Sequence, residues 1–222
     1  MLETVEKKLV GQSVYEQLRT DIMTGQLTPG AKLKLNLLKN RYGASVNTLR
    51  EALMRLVSDG FVRFVDQKGF SVQMVSKEDL YELLELRTML ELTGLEKSLN
   101  NKDGLMTWKS DLVAAHYRLS CMEELMMQDE RANVQAWERA DRDFHMTMVA
   151  NCGSNQMIRY HASIIEQYMR YQLLALQKRP FRGRKSQGEH KELLECIMKG
   201  DVEGALAMLK HHIAQGANNP GS

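Results

Sequence analysis

The chain has 222 residues, 43% hydrophobic and 26% charged, which suits one large globular domain or two smaller ones with a sizeable core. Three prolines and no Gly/Ser tract exclude a long flexible linker, and three cysteines without a CxxC (Cys121, Cys152, Cys196) exclude a disulfide framework and read as reduced thiols. The net charge of +2 hides an asymmetry: residues 1–75 hold 11 Lys+Arg against 7 Asp+Glu, and the remainder holds 19 against 21. That split suggests a basic domain facing a polyanion, joined to a mildly acidic one.

No signal-peptide core opens the chain, and no apolar run reaches membrane-spanning length. The expected location is the cytoplasm, with no membrane partner. Fifteen methionines suit helical cores and are read as core filler.

In chain order, Ser13 to Gly25 is predicted as a first helix, with Val14, Leu18, Ile22 and Met23 on its apolar stripe. Thr28-Pro29-Gly30 is a turn. Leu33 and Leu35 form a short strand or lead into a second helix, from about Asn36 to Tyr42, that ends at Gly43. Ser45 is the N-cap of a third helix, whose buried stripe is Leu49, Ala52, Leu53, Leu56 and Val57. Phe61 to Val65 and Phe70 to Met74 alternate as two strands around Asp66-Gln67-Lys68-Gly69. Helix, helix, tight turn, helix and hairpin make a winged helix-turn-helix. Ser45, Asn47, Thr48 and Arg50 then occupy the first turns of the recognition helix. Arg suits guanine, Asn suits adenine, and the hydroxyls suit phosphates or either base. Lys68 and Gly69, at the hairpin tip, could approach the DNA backbone or minor groove. The alternative is a small helical domain whose polar residues are merely solvated.

This stretch resembles the DNA-binding domain of the GntR family of bacterial transcription regulators. Gly25, Leu27, Pro29-Gly30, Leu33, Leu38, Tyr42-Gly43, Ser45, Leu49-Arg50-Glu51-Ala52-Leu53, Leu56, Gly60 and Gly69 carry the likeness over residues 12–74. Arg50 matches the second arginine of the family pattern. Val46 stands where the family usually has a base-reading arginine, and Leu35-Asn36 replaces an acidic-basic pair. The operator of better-known relatives is therefore not carried over to this chain.

After residue 75 only helices are predicted, six or seven in a bundle, with breaks near Asp103-Gly104, Gln128 to Ala132, Asn151 to Ser154, Arg179 to Lys185 and Gly200-Asp201. Gly216 to Ser222 are expected to fray. Ser76 is read as an N-cap for the first of these helices. That helix places Arg87 and Glu91 inside an apolar pattern, as a salt bridge or as an arginine seeking an anion. Asp141 and His145 lie four apart, so on a helix they share one face. They are either an exposed i,i+4 pair or, with His190 and His212, the ligands of a divalent ion. His116 and His161 have no spacing that recruits them.

The C-terminal part resembles the FCD effector domain that accompanies GntR heads in the FadR subgroup. The likeness rests on Leu86-Arg87 with Leu90-Glu91, Asp141 with Phe144-His145, Cys152-Gly153-Ser154-Asn155, Glu189-His190, and Gly200-Asp201 with Ala205 and His212-Ile213. It implies a mainly α protein. Residues 1–75 would be a winged helix-turn-helix with a small β-hairpin, and residues 76–222 an all-helical effector-binding and dimerisation domain. It further implies a metal held by Asp141, His145, His190 and His212, with zinc first and nickel or manganese as alternatives. His211 is a rival for the last position. Arg87 would meet a small carboxylate effector. The function expected is a homodimeric, ligand-responsive repressor on a palindromic operator in double-stranded DNA, not an enzyme. A metal-dependent hydrolase or lyase built on the same Asp/His cluster is the alternative.

Overall fold

The computed structural model describes residues 2–178 and 180–217, with residues 2–10 and 217 as backbone only. The chain divides into two compact units, Met1–Ser76 and Lys77–Ser222.

The first unit contains α1 (Leu2–Met23), α2 (Leu35–Tyr42), α3 (Val46–Ser58) and an antiparallel hairpin of β1 (Val62–Val65) and β2 (Gly69–Val72), with Phe64 opposite Phe70. Leu18 and Ile22 on α1 meet Leu49, Leu53 and Leu56 on α3 in a core that is wholly buried. The helix expected from Ser13 instead starts at Leu2. Nothing in the preceding Leu-, Glu- and Lys-rich stretch breaks a helix, and Gly11 costs only about 1 kcal/mol there. Gly43 takes a left-handed φ of 62° and its N–H bonds to Lys39 O, which ends α2 and makes the tight turn. Ser45 caps α3 by accepting a hydrogen bond from the Thr48 N–H at 3.2 Å. Leu33 donates to Phe70 O, and Lys32 bridges to Ser71, so the segment before α2 touches the hairpin as a short strand would.

The second unit, among the described residues, is six helices without a strand: α4 (Lys77–Asn100), α5 (Leu105–Gln128), α6 (Glu130–Met148), α7 (Asn155–Leu176), α8 (Arg184–Lys199) and α9 (Val202–Ala217). Asp129 joins α5 to α6 and accepts from Ala132 N at 3.0 Å, so the two helices fold back on each other across a single residue. Gly200 closes α8 at φ 75°, and the Asp201 carboxylate takes the Gly204 N–H to start α9. Fraying does not begin at Gly216, which is buried within α9, while residues 218–222 lie outside the described set. The apolar core runs through Leu95, Leu112, Leu119, Phe144, Ile165, Leu193 and Leu209. α4, α6, α8 and α9 then converge on a polar centre inside it.

That convergence depends on close packing at Gly94 of α4, where an added Cβ would stand 2.8 Å from Val149 Cγ1. Gly94→Val is therefore expected to lower stability by about 1–3 kcal/mol. Gly188→Ala, where a Cβ meets nothing within 4 Å, is expected to leave it unchanged or higher. Urea unfolding of the two variants beside the parent checks both.

Candidate functional site

The polar centre is built from side chains that an apolar interior should reject. Arg87, Glu91, Glu123, Asp141, His145, His161, Glu189, His190 and His212 are all buried. Burying charge is costly unless every group is paired or coordinated, so the pattern of partners is informative.

Asp141 and His145 come from successive turns of α6, His190 from α8 and His212 from α9. One ring nitrogen from each of His145, His190 and His212 lies within 4.8 Å of the others. Asp141 Oδ1 is 3.6 Å from His190 Nε2. His211, the rival, is exposed.

Each clustered histidine has its Nδ1 held by a carboxylate. His145 bonds Glu91 at 3.0 Å, His190 bonds Glu123 at 2.8 Å, and His212 bonds Glu189 at 2.9 Å. A carboxylate takes the Nδ1–H, which fixes the tautomer and leaves each Nε2 lone pair free to face the cluster. His190 Nε2 is fully buried and has no hydrogen-bond partner among the described residues. A buried orphan acceptor among two like neighbours fits a metal-ligand set. Burial, and then the charges of His145 and the arginines, push the His190 imidazole down to about 3, with Asp141 opposing; it is neutral, as a ligand must be. Burial likewise holds His212 well below the usual imidazole value, helped by His190 and His145.

Glu91 links three of these groups. Its carboxylate accepts from Arg87 Nε at 2.7 Å, His145 Nδ1 at 3.0 Å and His161 Nε2 at 3.0 Å. Burial would raise its pKa, but Arg87 and His145 hold it well below the carboxylate range. Arg87 Nη2 is 3.2 and 3.1 Å from the two ring nitrogens of His145. Near-equal distances to both can be met only from above the ring, so the guanidinium lies over the imidazole face and leaves the in-plane Nε2 lone pair open. Arg87 also sits over the Tyr168 ring, 4.3 Å from the centroid.

Glu123 contrasts with Glu91. Burial first, then Asp141, Glu124 and Glu189, push its carboxyl up to about 8. Arg182 pairs with Glu189 as Arg87 pairs with Glu91, while Glu123 and Asp141 have no guanidinium partner among the described residues.

Arg87, Asp141 and His212 also line a small cavity with Trp137, Tyr168 and Arg182. Its free volume is about 40 Å³, enough for roughly three waters.

The four ligands suggested by spacing thus lie in one region, and Arg87 lies beside them. Sequence reasoning missed Glu123, Arg182 and the bonding role of Glu189, and it set His161 aside although that residue is buried against Glu91. Glu91, by contrast, is legible through its i,i+4 spacing from Arg87, with which it forms the expected salt bridge.

In the first unit, Asn47 and Arg50 are exposed on α3. Arg50 has no hydrogen bond or ion pair within the described residues, whereas Arg55 is committed to Gln12 and the Tyr15 ring. Val46 and Thr48 are half-buried, and Ser45 is engaged as the cap. Lys68 is exposed beside Gly69, whose φ of 74° turns the hairpin.

Residues 10–72 match the family described as bacterial regulatory proteins, gntR family, and residues 82–215 match the FCD domain. The chain belongs to the GntR family. Its FCD domain places it with the FadR-like group of these DNA-binding transcription regulators. It is 34% identical to the HTH-type transcriptional regulator BphR of Paraburkholderia xenovorans over 91% of this chain and 81% of that one. It is 27% identical to the HTH-type transcriptional repressor GlaR of Escherichia coli over 90% of each. Among solved structures it shares the fold of E. coli McbR/YncC, with a TM-score of 0.75 at 22% identity over 94% of this chain and 95% of that one. In this GntR protein the FCD match contains the whole histidine cluster, and the gntR match contains α3 and the hairpin tip.

Replacing Glu91 tests the hub. In metal-stripped protein, Glu91→Ala strands Arg87 without its buried partner and is expected to cost about 3–5 kcal/mol. Urea denaturation reads the cost, and a loss under 1 kcal/mol would mean that the carboxylate does not hold the centre together.

Proposed function

We propose that this GntR/FCD protein is a repressor whose helical unit binds a divalent metal and a small carboxylate, and whose winged unit releases or grips its operator in response. The observation that carries the reading is the trio His145, His190 and His212, each with its Nδ1 on a buried carboxylate and with the His190 Nε2 left unpartnered. Such carboxylate-histidine pairs orient imidazoles for a metal.

His145, His190, His212 and Asp141 would hold the ion, with zinc first and nickel or manganese as alternatives. When bound, the ion supplies a Lewis-acidic point for a carboxylate oxygen. Arg87 offers a guanidinium at the wall of the same cavity, oriented by Glu91 and Tyr168. The 40 Å³ of free space favours a short organic acid over a long acyl chain. α4 carries Arg87 and Glu91 and begins at Lys77, directly after the winged unit, so a shift of α4 on binding reaches the chain that leads to the DNA reader. Control requires that the acid bind one arrangement of the heads better than the other.

In this reading residues 1–75 recognise double-stranded DNA in the cytoplasm through Ser45, Asn47, Thr48, Arg50, Lys68 and Gly69. Residues 76–222 bind the effector and join two copies across a palindromic operator. GlaR, alike over nine-tenths of the chain, is named as a repressor, which favours repression here. The likeness to regulators over that length weighs against a metal-dependent hydrolase or lyase.

Two measurements test this. His190→Ala should lose bound metal by elemental analysis, and with it the thermal stabilisation that short-chain hydroxy and dicarboxylic acids give the metal-loaded parent. Undiminished stabilisation in the metal-free variant would disprove the coordination model. Arg50→Ala should weaken specific operator binding by about 1–3 kcal/mol in a mobility-shift assay at fixed salt, with the circular dichroism spectrum unchanged. Full affinity would remove Arg50 from the recognition surface.

A further inference from the structure

We infer that the cavity has a second recognition layer, formed by Trp137, Arg182 and Ser186, which selects short dicarboxylic acids over monocarboxylic and ω-amino acids of the same length. The inference rests on the proposed effector site and names the class of ligand that this site takes.

The layer follows from helix spacing. Trp137 stands four residues from Asp141 on α6, Ser186 four from His190 on α8, and Gly216 four from His212 on α9. Four residues make about one helical turn, a rise of about 6 Å, and share a helix face. Trp137, Ser186 and Gly216 are buried, and all three line the cavity that has Arg87, Asp141 and His212 on its wall. The cavity therefore has two levels. One is the level of the histidine trio, and the other lies a turn away on the same three helices.

The groups at the outer level are donors. The Trp137 Nε1–H is buried and has no hydrogen-bond partner among the described residues. Trp108, the other tryptophan, gives its Nε1–H to Thr147 O at 2.8 Å. The Ser186 hydroxyl is also without a partner among the described residues. Arg182 pairs with Glu189, but a guanidinium carries five N–H donors and one carboxylate cannot use them all. A buried donor that no protein group meets is costly, and an occupant of the cavity can meet it. Indole and guanidinium only donate, so the occupant must bring an acceptor there. A second carboxylate does so. An alkyl end would displace water without replacing its bonds, and an ammonium would bring only further donors.

Shape points to the same class. Phe181 meets Trp137 edge-on, with centroids 5.3 Å apart, and the Phe181 N–H donates to Glu130 Oε1 at 3.0 Å. The aromatic pair thus walls the outer level and limits chain length. Gly216 keeps the α9 side narrow in bulk, since a Cβ there would collide with the Tyr168 hydroxyl. With one carboxylate at Arg87, a short chain carries the second to Trp137 and Arg182.

The test is isothermal titration calorimetry on the zinc-loaded full chain. Malonate, succinate and glutarate are each titrated beside the monocarboxylic acid of equal length, and γ-aminobutyrate is titrated beside succinate. The parent should bind at least one diacid about tenfold or more tighter than its monocarboxylic counterpart and than γ-aminobutyrate. Trp137→Phe keeps a ring beside Phe181 and removes the donor. It should lose most of that preference while binding the monocarboxylic acids as the parent does. Ser186→Ala, a smaller change that keeps the indole, should narrow the preference in the same direction. Tryptophan emission gives a second readout: it should shift when the preferred diacid binds the parent and stay fixed in Trp137→Phe, where Trp108 alone remains. Equal affinity of the parent for diacids and monocarboxylic acids, or a preference that survives both substitutions, would overturn the second layer while leaving the effector site standing. A zinc-loaded parent that binds no acid of any class would overturn the effector site itself, and the second layer with it.

Discussion

The second unit depends on one buried carboxylate. Glu91 stands on α4, yet it is bonded to α6 through His145 and to α7 through His161, while also pairing with Arg87 one turn away on its own helix. A fully buried guanidinium and carboxylate cost several kcal/mol to desolvate. Here that cost is offset because every oxygen has a charged or strongly donating partner. The consequence is geometric. The ring of His145 cannot rotate without breaking a bond to Glu91, so the nitrogen opposite stays aimed at His190 and His212.

The same design repeats twice. Glu123 sets His190 and Glu189 sets His212, and Arg182 anchors Glu189 in turn. Three helices each present one imidazole, and a carboxylate holds each from behind. Phe144 packs edge-on against His145 and His190, with centroids 5.5 and 5.4 Å away, closing the apolar side. What remains open is the small cavity bounded by Arg87, Asp141 and His212. Arg87 on its wall belongs to α4, the helix that follows the winged unit in the chain.

The winged unit was legible almost residue by residue. Ser45, Gly43, Gly60 and the Asp66–Gly69 turn act through neighbours only a few positions away, and local rules describe such contacts. The apolar stripe from Val14 predicts a helix only from Ser13, whereas α1 starts at Leu2, because nothing in the preceding stretch interrupts it. The bundle's helices and breaks were similarly readable, since apolar periodicity and glycine stops are local. The centre was readable only where two partners share a helix face, as with Asp141 and His145 or Arg87 and Glu91.

By itself the sequence determined the two-part organisation, the winged helix-turn-helix, the helical bundle and the histidines worth watching. Each of these follows from residue type and spacing along a single element. The tertiary structure decided which groups bond. His145 and Glu91 are 54 residues apart, His190 and Glu123 are 67 apart, and His161 and Glu91 are 70 apart. No periodicity relates such positions. A hydrogen bond near 3 Å depends on how helices cross, and that crossing is set by the whole core at once. The same reason separates His212 from His211. Adjacent in the chain, they point about 100° apart around α9, and only the packed bundle decides which one turns inward.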